Sequence, residues 1–136
     1  YQAPAHVYPC GPENIMHAVL DTAKSNGFAE NQRHMEYFSA PDIPACGNHD
    51  FTLKLAQSQQ EFHIPATKSA TEVLIEAGVN IEVKCADGIC GVCKCAIVAG
   101  QVEHRDFVLS NQQRQTHMIL CQSRAAQPNG ILEVNL

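Results

Sequence analysis

Four cysteines constrain this chain more than any other feature: Cys85-Ala-Asp-Gly-Ile-Cys90-Gly-Val-Cys93, then Cys121. The gaps between them are four, two and twenty-seven residues. Whatever fold forms must carry a distant thiol back onto one short loop, and that loop must wrap around something. C-x4-C-x2-C with a remote fourth cysteine is the plant-type spacing for a 2Fe–2S cluster. Each iron of such a cluster takes four soft ligands, two of them bridging sulfides, so four thiolates serve the pair. Gly88 and Gly91 stand between the cysteines. Lacking Cβ atoms, they let the backbone come close and adopt conformations closed to other residues. Loop amides can then point at the sulfurs and favour the extra negative charge of a reduced centre.

Competing uses of the thiols fit less well. A zinc site normally shows paired C-x2–4-C knuckles, and the second half here offers one cysteine. The chain holds 7 cysteines, an odd number, which excludes a complete internal set of disulfides. Thiols with a metal or redox task in a reducing compartment fit better, so the expected localisation is cytoplasmic. A Rieske centre needs two histidine ligands, and four cysteines already fill the set. Cys95, on a strand, reads as a small packed residue. Cys46 reads as a bystander in a linker. Cys10 stands at a strand end before a helix, where open α/β sheets bind ligands.

Composition removes whole classes of function. With 9 basic against 14 acidic residues the net charge is −5, which argues against a nucleic-acid partner. Hydrophobic residues at 45% argue against disorder. No apolar run approaches the ~20 residues that cross a bilayer, so no membrane partner is expected. No basic stretch followed by an apolar one opens the chain, so no signal peptide is expected.

The chain divides by pattern into residues 1–40, a linker at 41–48, and 49–136. Ala5 to Tyr8 reads as a short strand ending at Cys10-Gly11-Pro12, with Pro12 suited to the first turn of a helix. Ile15, Met16, Val19, Leu20 and Ala23 fall at helical spacing, and Gly27 stops that helix. Met35 to Phe38 reads as a second strand. The stretch SAPDIPACGN at 39–48 is punctuation. Beyond it, Phe51, Leu53 and Leu55 alternate with polar residues, and a hairpin is expected over 49–64. Ser69 with Glu72 and Ser110 with Gln113 are capping-box pairs, and Gly78 ends the first of these helices. Lys94–Val98, His117–Cys121 and Ile131–Leu136 read as strands. Strand pairs, one main helix and a long irregular loop indicate an α+β fold. The charged run Glu103-His104-Arg105-Asp106 reads as a solvated turn, and Phe107-Val108-Leu109 as core.

On these residues the chain resembles a known family. Residues 49–136 resemble the plant-type ferredoxin domain at the C-terminus of flavin-dependent oxygenase reductases. The likeness extends through Glu103-His104-Arg105-Asp106 and Cys121-Gln122-Ser123-Arg124-Ala125. Residues 5–38 resemble the last piece of the NAD-binding domain of the same enzymes. Cys10, Gly11 and Pro12 match a turn placed near the nicotinamide, and Glu36 and Phe38 match a Glu-x-Phe ending. The domain order is similar to phthalate dioxygenase reductase, vanillate demethylase reductase and the carnitine monooxygenase reductase subunit. Leu120 departs from relatives that carry a cysteine or polar residue there, which reads as a packing variation.

The resemblance implies a β-grasp ferredoxin domain preceded by a strand–helix–strand remnant of an α/β NAD-binding domain. It implies Cys85, Cys90, Cys93 and Cys121 as ligands of the cluster, with Gly88 and Gly91 lining it. It implies FMN and NADH for the full-length enzyme, held by upstream flavin and NAD domains and not by this chain alone. It implies a Rieske-type mono- or dioxygenase as partner, with the carnitine monooxygenase type as the favoured reading. The alternative is a stand-alone ferredoxin, which has no use for the Cys-Gly-Pro piece.

Overall fold

Alternation decides the first strand of the larger unit. Phe51, Leu53 and Leu55 are each 2% exposed or less, while Thr52 and Lys54 between them are half-buried. The computed structural model describes residues 5–40 and 47–136. These fall into two compact units, within 1–40 and within 41–136.

In the larger unit, β1 (Phe51–Leu55) pairs antiparallel with β2 (Glu61–Ile64), in the register Phe51↔Ile64 to Lys54↔Glu61. Helix α2 (Ala70–Glu76) begins with the expected capping box. Ser69 Oγ accepts from the Glu72 amide at 3.2 Å, and Glu72 Oε2 accepts from the Ser69 amide at 2.7 Å. It ends at Gly78, φ +77, where the Gly78 amide donates to Ile75 O and the Val79 amide to Leu74 O, each at 2.9 Å. That pair of reversed bonds satisfies carbonyls the helix leaves open.

After the cysteine loop come β3 (Lys94–Ala99), β4 (Val102–Glu103), the short helix α3 (Asn111–Arg114), β5 (His117–Ile119), β6 (Arg124–Ala125) and β7 (Ile131–Val134). Ser110 caps α3 as its spacing with Gln113 predicts. The main sheet has the order β2-β1-β7-β3-β5, and β4 pairs with β6 in a separate ribbon. Strand β7 runs parallel to β1 and antiparallel to β3. The core is built from Phe51, Leu53, Ile64, Leu74, Met118 and Leu132, with α2 supplying Leu74. A mixed sheet clasping one helix, with the last strand at its centre, is the expected β-grasp arrangement. Leu120, 2% exposed, is part of the same core.

The chain leaves β3 by a bulge. Ile97 faces Val134 but Ala99 faces Glu133, so Val98 is the extra residue. Gly100 follows with φ +97, and a Cβ there would run into Ile131 O and lie 2.8 Å from Leu132 Cδ2.

In the smaller unit, α1 (Glu13–Ser25) is stopped by Gly27, φ +86, with the same two reversed bonds: Gly27 amide to Lys24 O and Phe28 amide to Ala23 O. Pro12 occupies the N-cap, just ahead of the first turn and not within it. Met16 and Ala23 are buried, whereas Ile15 and Val19 of the expected stripe are 56% and 38% exposed. The two expected strands are isolated parallel bridges, Val7↔Arg33 and Cys10↔Glu36. The second segment therefore pairs at 33–36 and not at 35–38. Pro9 keeps the two bridges from joining into a continuous strand. Val7 donates to Gln32 O and accepts from His34, and Glu36 donates to Pro9 O at 3.5 Å. The bond that would join the bridges needs an N–H on residue 9, and proline has none.

Candidate metal centre

The loop joining α2 to β3 and the turn after β5 bring the four cysteines together as two pairs. The Cys90 thiol lies near enough to bear on the ionisation of Cys85, and the Cys121 thiol on that of Cys93. All four are free thiols. Cys93 and Cys121 are 7% and 4% exposed, Cys85 is half-buried and Cys90 is exposed. Cys121 does not sit on a strand, as the pattern at 117–121 suggested. Strand β5 stops at Ile119, and the Ser123 amide donates back to Ile119 O at 3.0 Å, closing a turn. The Leu120 amide donates to Cys93 O at 3.2 Å, which ties that turn to the loop.

Backbone amides converge on the sulfurs. The Asp87 amide donates to Cys85 Sγ at 3.4 Å. Burial resists ionisation of Cys85, but the amides of Asp87, Ile89 and Cys90, with the Cys90 thiol, outweigh it and bring the group down to about 7. The Cys121 thiol, against burial and aided by the Cys121 and Leu120 amides, brings Cys93 down to about 6. Cys121 is pushed up because it is the donor in that pair and because it is buried, although the Gly88 amide points at its sulfur. Such a set of aimed N–H groups favours negative charge on sulfur.

The loop needs its glycines to different degrees. Gly88 and Gly91 both have φ +74. A Cβ on Gly88 would lie 3.1 Å from Gln122 Cγ and 3.3 Å from Asp106 Cα, whereas one on Gly91 would meet only Val108, at 3.5 Å. Gly88→Ala is therefore expected to lower both iron content and denaturation midpoint more than Gly91→Ala. The left-handed backbone costs each variant about 1–2 kcal/mol. Crowding adds to the first alone. Equal losses in iron analysis and in denaturant melts would show that Gln122 and Asp106 yield freely. The sequence reading missed Ala86, which has φ +60 without being glycine. Its carbonyl accepts from Gln122 Nε2 at 2.7 Å, so the residue after Cys121 clamps the one after Cys85.

The run at 103–106 is not a solvated turn. The Asp106 side chain is fully buried, and those of His104 and Arg105 are 16% and 14% exposed. Arg105 forks onto Glu103, Nε to Oε1 and Nη2 to Oε2, each at 3.0 Å. Arg105 and Glu103 thus satisfy each other, and backbone amides of Val108 and Leu109 satisfy Asp106 Oδ2, in place of water. Of the expected core run beside it, Leu109 is buried, whereas Val108 is 38% exposed.

Cys95 faces the core opposite Met118, and burial followed by the charge of Cys93 pushes its thiol up to about 12. It packs like a small apolar residue. Cys46 lies outside the described residues. In the smaller unit the structure brings Cys10 to Glu36, with Cys10 Sγ donating to Glu36 O at 3.3 Å. Gly11 follows with φ +149 and open space around its Cα, and Pro12 caps α1. Phe38 is 88% exposed.

Among the described residues no three His, Cys, Asp or Glu side chains are grouped to hold one metal ion. The thiols are grouped two and two, which suits two irons that each take two thiolates. Soft sulfur donors, amides aimed at them and a glycine where a Cβ would crowd the loop all fit a 2Fe–2S group.

A model of 2Fe–2S iron-sulfur cluster binding domains matches residues 53–126. Phthalate dioxygenase reductase of Burkholderia cepacia is 37% identical over 129 residues, 95% of this chain and 39% of that protein. The carnitine monooxygenase reductase subunit of Acinetobacter baumannii is 33% identical over 131 residues, 95% of this chain and 41% of that protein. A solved structure of phthalate dioxygenase reductase, described as modular for electron transfer from pyridine nucleotides to 2Fe–2S, superposes with a TM-score of 0.75 at 36% identity. It covers 100% of this chain, which covers 41% of that one. The chain thus spans about two fifths of the length of the curated relatives it matches. The matched span encloses both halves of the thiol set, and the chain belongs to the 2Fe–2S iron-sulfur cluster binding family, with that cluster as its cofactor.

Proposed function

We propose that this chain is the one-electron module of an NADH-dependent, FMN-containing reductase, and that Cys85, Cys90, Cys93 and Cys121 hold its cluster. The observation that carries the reading is the two-by-two pairing of these thiols beneath loop amides. When bound, the cluster supplies storage for one electron at low potential, about −400 mV for plant-type examples. The chain's own residues do the rest. The amides of Asp87, Gly88, Ile89 and Cys90 favour added negative charge on the sulfurs. Burial of Cys93 and Cys121 keeps water from one side, and exposed Cys90 leaves an edge through which an electron can pass to a partner.

Residues 1–40 are proposed as the last piece of an NAD-binding domain, 41–48 as linker and 49–136 as the ferredoxin domain. In that setting Cys10, Gly11, Pro12, Glu36 and Phe38 border the nicotinamide, while FMN and NADH are held by the longer protein. The partner is an oxygenase carrying a Rieske cluster, a reading supported by relatives named as reductases of dioxygenases and monooxygenases. A stand-alone ferredoxin is disfavoured because the likeness runs through the first forty residues. No helix among the described residues is long and apolar enough to cross a membrane. A cytoplasmic location is proposed from the thiol chemistry.

Hydride transfer delivers two electrons together, while a 2Fe–2S cluster takes one, so a flavin must stand between. The cluster-loaded chain mixed anaerobically with NADH is expected to keep its visible absorption over minutes. Dithionite should bleach it, and an oxidised Rieske-type oxygenase should restore it. Rapid bleaching by NADH alone would overturn the assignment of carrier. The formal charge of −5 becomes about −7 once four thiolates and an oxidised cluster are counted. Electron delivery is therefore expected to slow several-fold as ionic strength rises towards physiological values, read by stopped-flow reoxidation. Rates indifferent to salt would exclude electrostatic docking.

A further inference from the structure

Asp106 is the only buried acid among the described residues. Its Oδ2 accepts from the Leu109 amide at 2.8 Å and the Val108 amide at 3.3 Å. Arg114 Nη2 donates to Asp106 O at 2.6 Å and lies 3.5 Å from Oδ2. Oδ1 has no hydrogen-bond partner, and His104 Nδ1, 3.6 Å away, has none either. The segment these contacts shape lies against the cysteine loop. Phe107, the next residue, donates its amide to Gly88 O at 3.0 Å, and Asp106 Cα is 3.3 Å from where a Gly88 Cβ would be. Gly88 itself stands between Cys85 and Cys90 on the ligand loop.

We propose that Asp106 is a positioning and tuning residue for the cluster: its turn holds Gly88 in place, and its buried carboxylate makes the centre harder to reduce. The proposal rests on the ligand assignment above. Two considerations separate charge from shape. Burying a carboxylate is costly, and an amide oxygen could accept the same two backbone bonds. The chain nevertheless keeps an acid here, with one oxygen bare. A fixed negative charge beside an electron acceptor opposes reduction, and the low local dielectric strengthens that opposition. Arg114 faces the same carboxylate and offsets part of its charge, and the His104 ring lies against its other oxygen.

The test compares cluster-loaded wild type, Asp106→Asn, Asp106→Ala and Arg114→Gln by iron content, visible circular dichroism and redox titration. Asp106→Asn keeps the turn and removes the charge, so it should retain iron and spectrum while its potential rises. Asp106→Ala removes both and should lose cluster faster than Asp106→Asn. Arg114→Gln removes the offsetting cation and should shift the potential downward, the opposite sign. An unchanged potential in Asp106→Asn overturns the proposal. Should that variant lose its iron, Arg114→Gln decides: a downward shift upholds the role of the charge, and no shift or an upward one overturns it. A wild type that binds no cluster at all overturns the ligand assignment and this proposal with it.

Discussion

A Cys121→Ser protein is expected to emerge from reconstitution with little iron and without the visible absorption of the parent. Cys121 sits at 4% exposure in the turn after β5, paired with the Cys93 thiol and facing the Gly88 amide. A serine there offers a hard oxygen that gives up its proton far less readily than a thiol, so one iron loses a ligand. Metal binding and folding are coupled in such sites, so the loop should also loosen. The informative control is Cys95→Ala. Cys95 is two residues from Cys93, yet its thiol is pushed up to about 12 and packs in the core. That variant should keep its full iron at a cost of about 1 kcal/mol in stability. Iron and sulfide analysis with absorption spectra reads both. Full iron in Cys121→Ser, or iron lost in Cys95→Ala, would move the fourth ligand.

Arg124→Met should cost about 3 kcal/mol or more. Arg124 is 4% exposed, and its guanidinium donates to three carbonyls. Nε and Nη2 donate to His49 O, Nη2 also to Pro65 O at 2.8 Å, and Nη1 to Lys68 O at 3.0 Å. Its plane lies 4.9 Å from the Phe51 ring centre. One side chain on β6 thus joins the entry to β1 and the connection from β2 to α2. Methionine fills much of the space but leaves His49 O and Lys68 O without the guanidinium's donors, while Pro65 O keeps only the Lys68 amide, at 3.2 Å. Arg124→Lys has a single ammonium and cannot reach all three, so it should fall between. Denaturant melts at constant cluster content measure the loss, and a change below about 1 kcal/mol would mean that water replaces the guanidinium at little cost.

Local signals in the sequence were reliable where the chemistry is local. The hairpin at β1–β2, both capping boxes and the stops at Gly27 and Gly78 follow from periodicity and from residues three or four apart. The gathering of Cys121 onto the loop was legible because metal-ligand spacing is a long-range constraint written in one residue type. What failed depended on unmarked long-range contact. Glu103 to Asp106 has the charge density of a surface turn, and only the approach of Gly88 and Arg114 buries its acid. Ala86 carries no sign of positive φ, since Gln122 imposes it from thirty-six residues away. That the pairing at 33–36 stays as two separate bridges turned on a missing N–H at Pro9, a single-atom effect that hydrophobic pattern does not encode.

The position of β7 has a consequence for how the protein is made. Ile131–Val134 lies between β1 and β3, so the sheet has no centre until nearly the last residue of this segment has been synthesised. Cys85, Cys90 and Cys93 precede that strand by roughly forty residues, about 2–8 s of synthesis at 5–20 residues per second, so these three are made well before the sheet can close. The thiols therefore spend their first moments on an open half-sheet, accessible to oxidants and to wrong metals. Cluster insertion must follow closure of the sheet, or a delivery system must guard the thiols until then. Shortening the chain by those four residues should yield a protein that never matures, although every ligand remains in place.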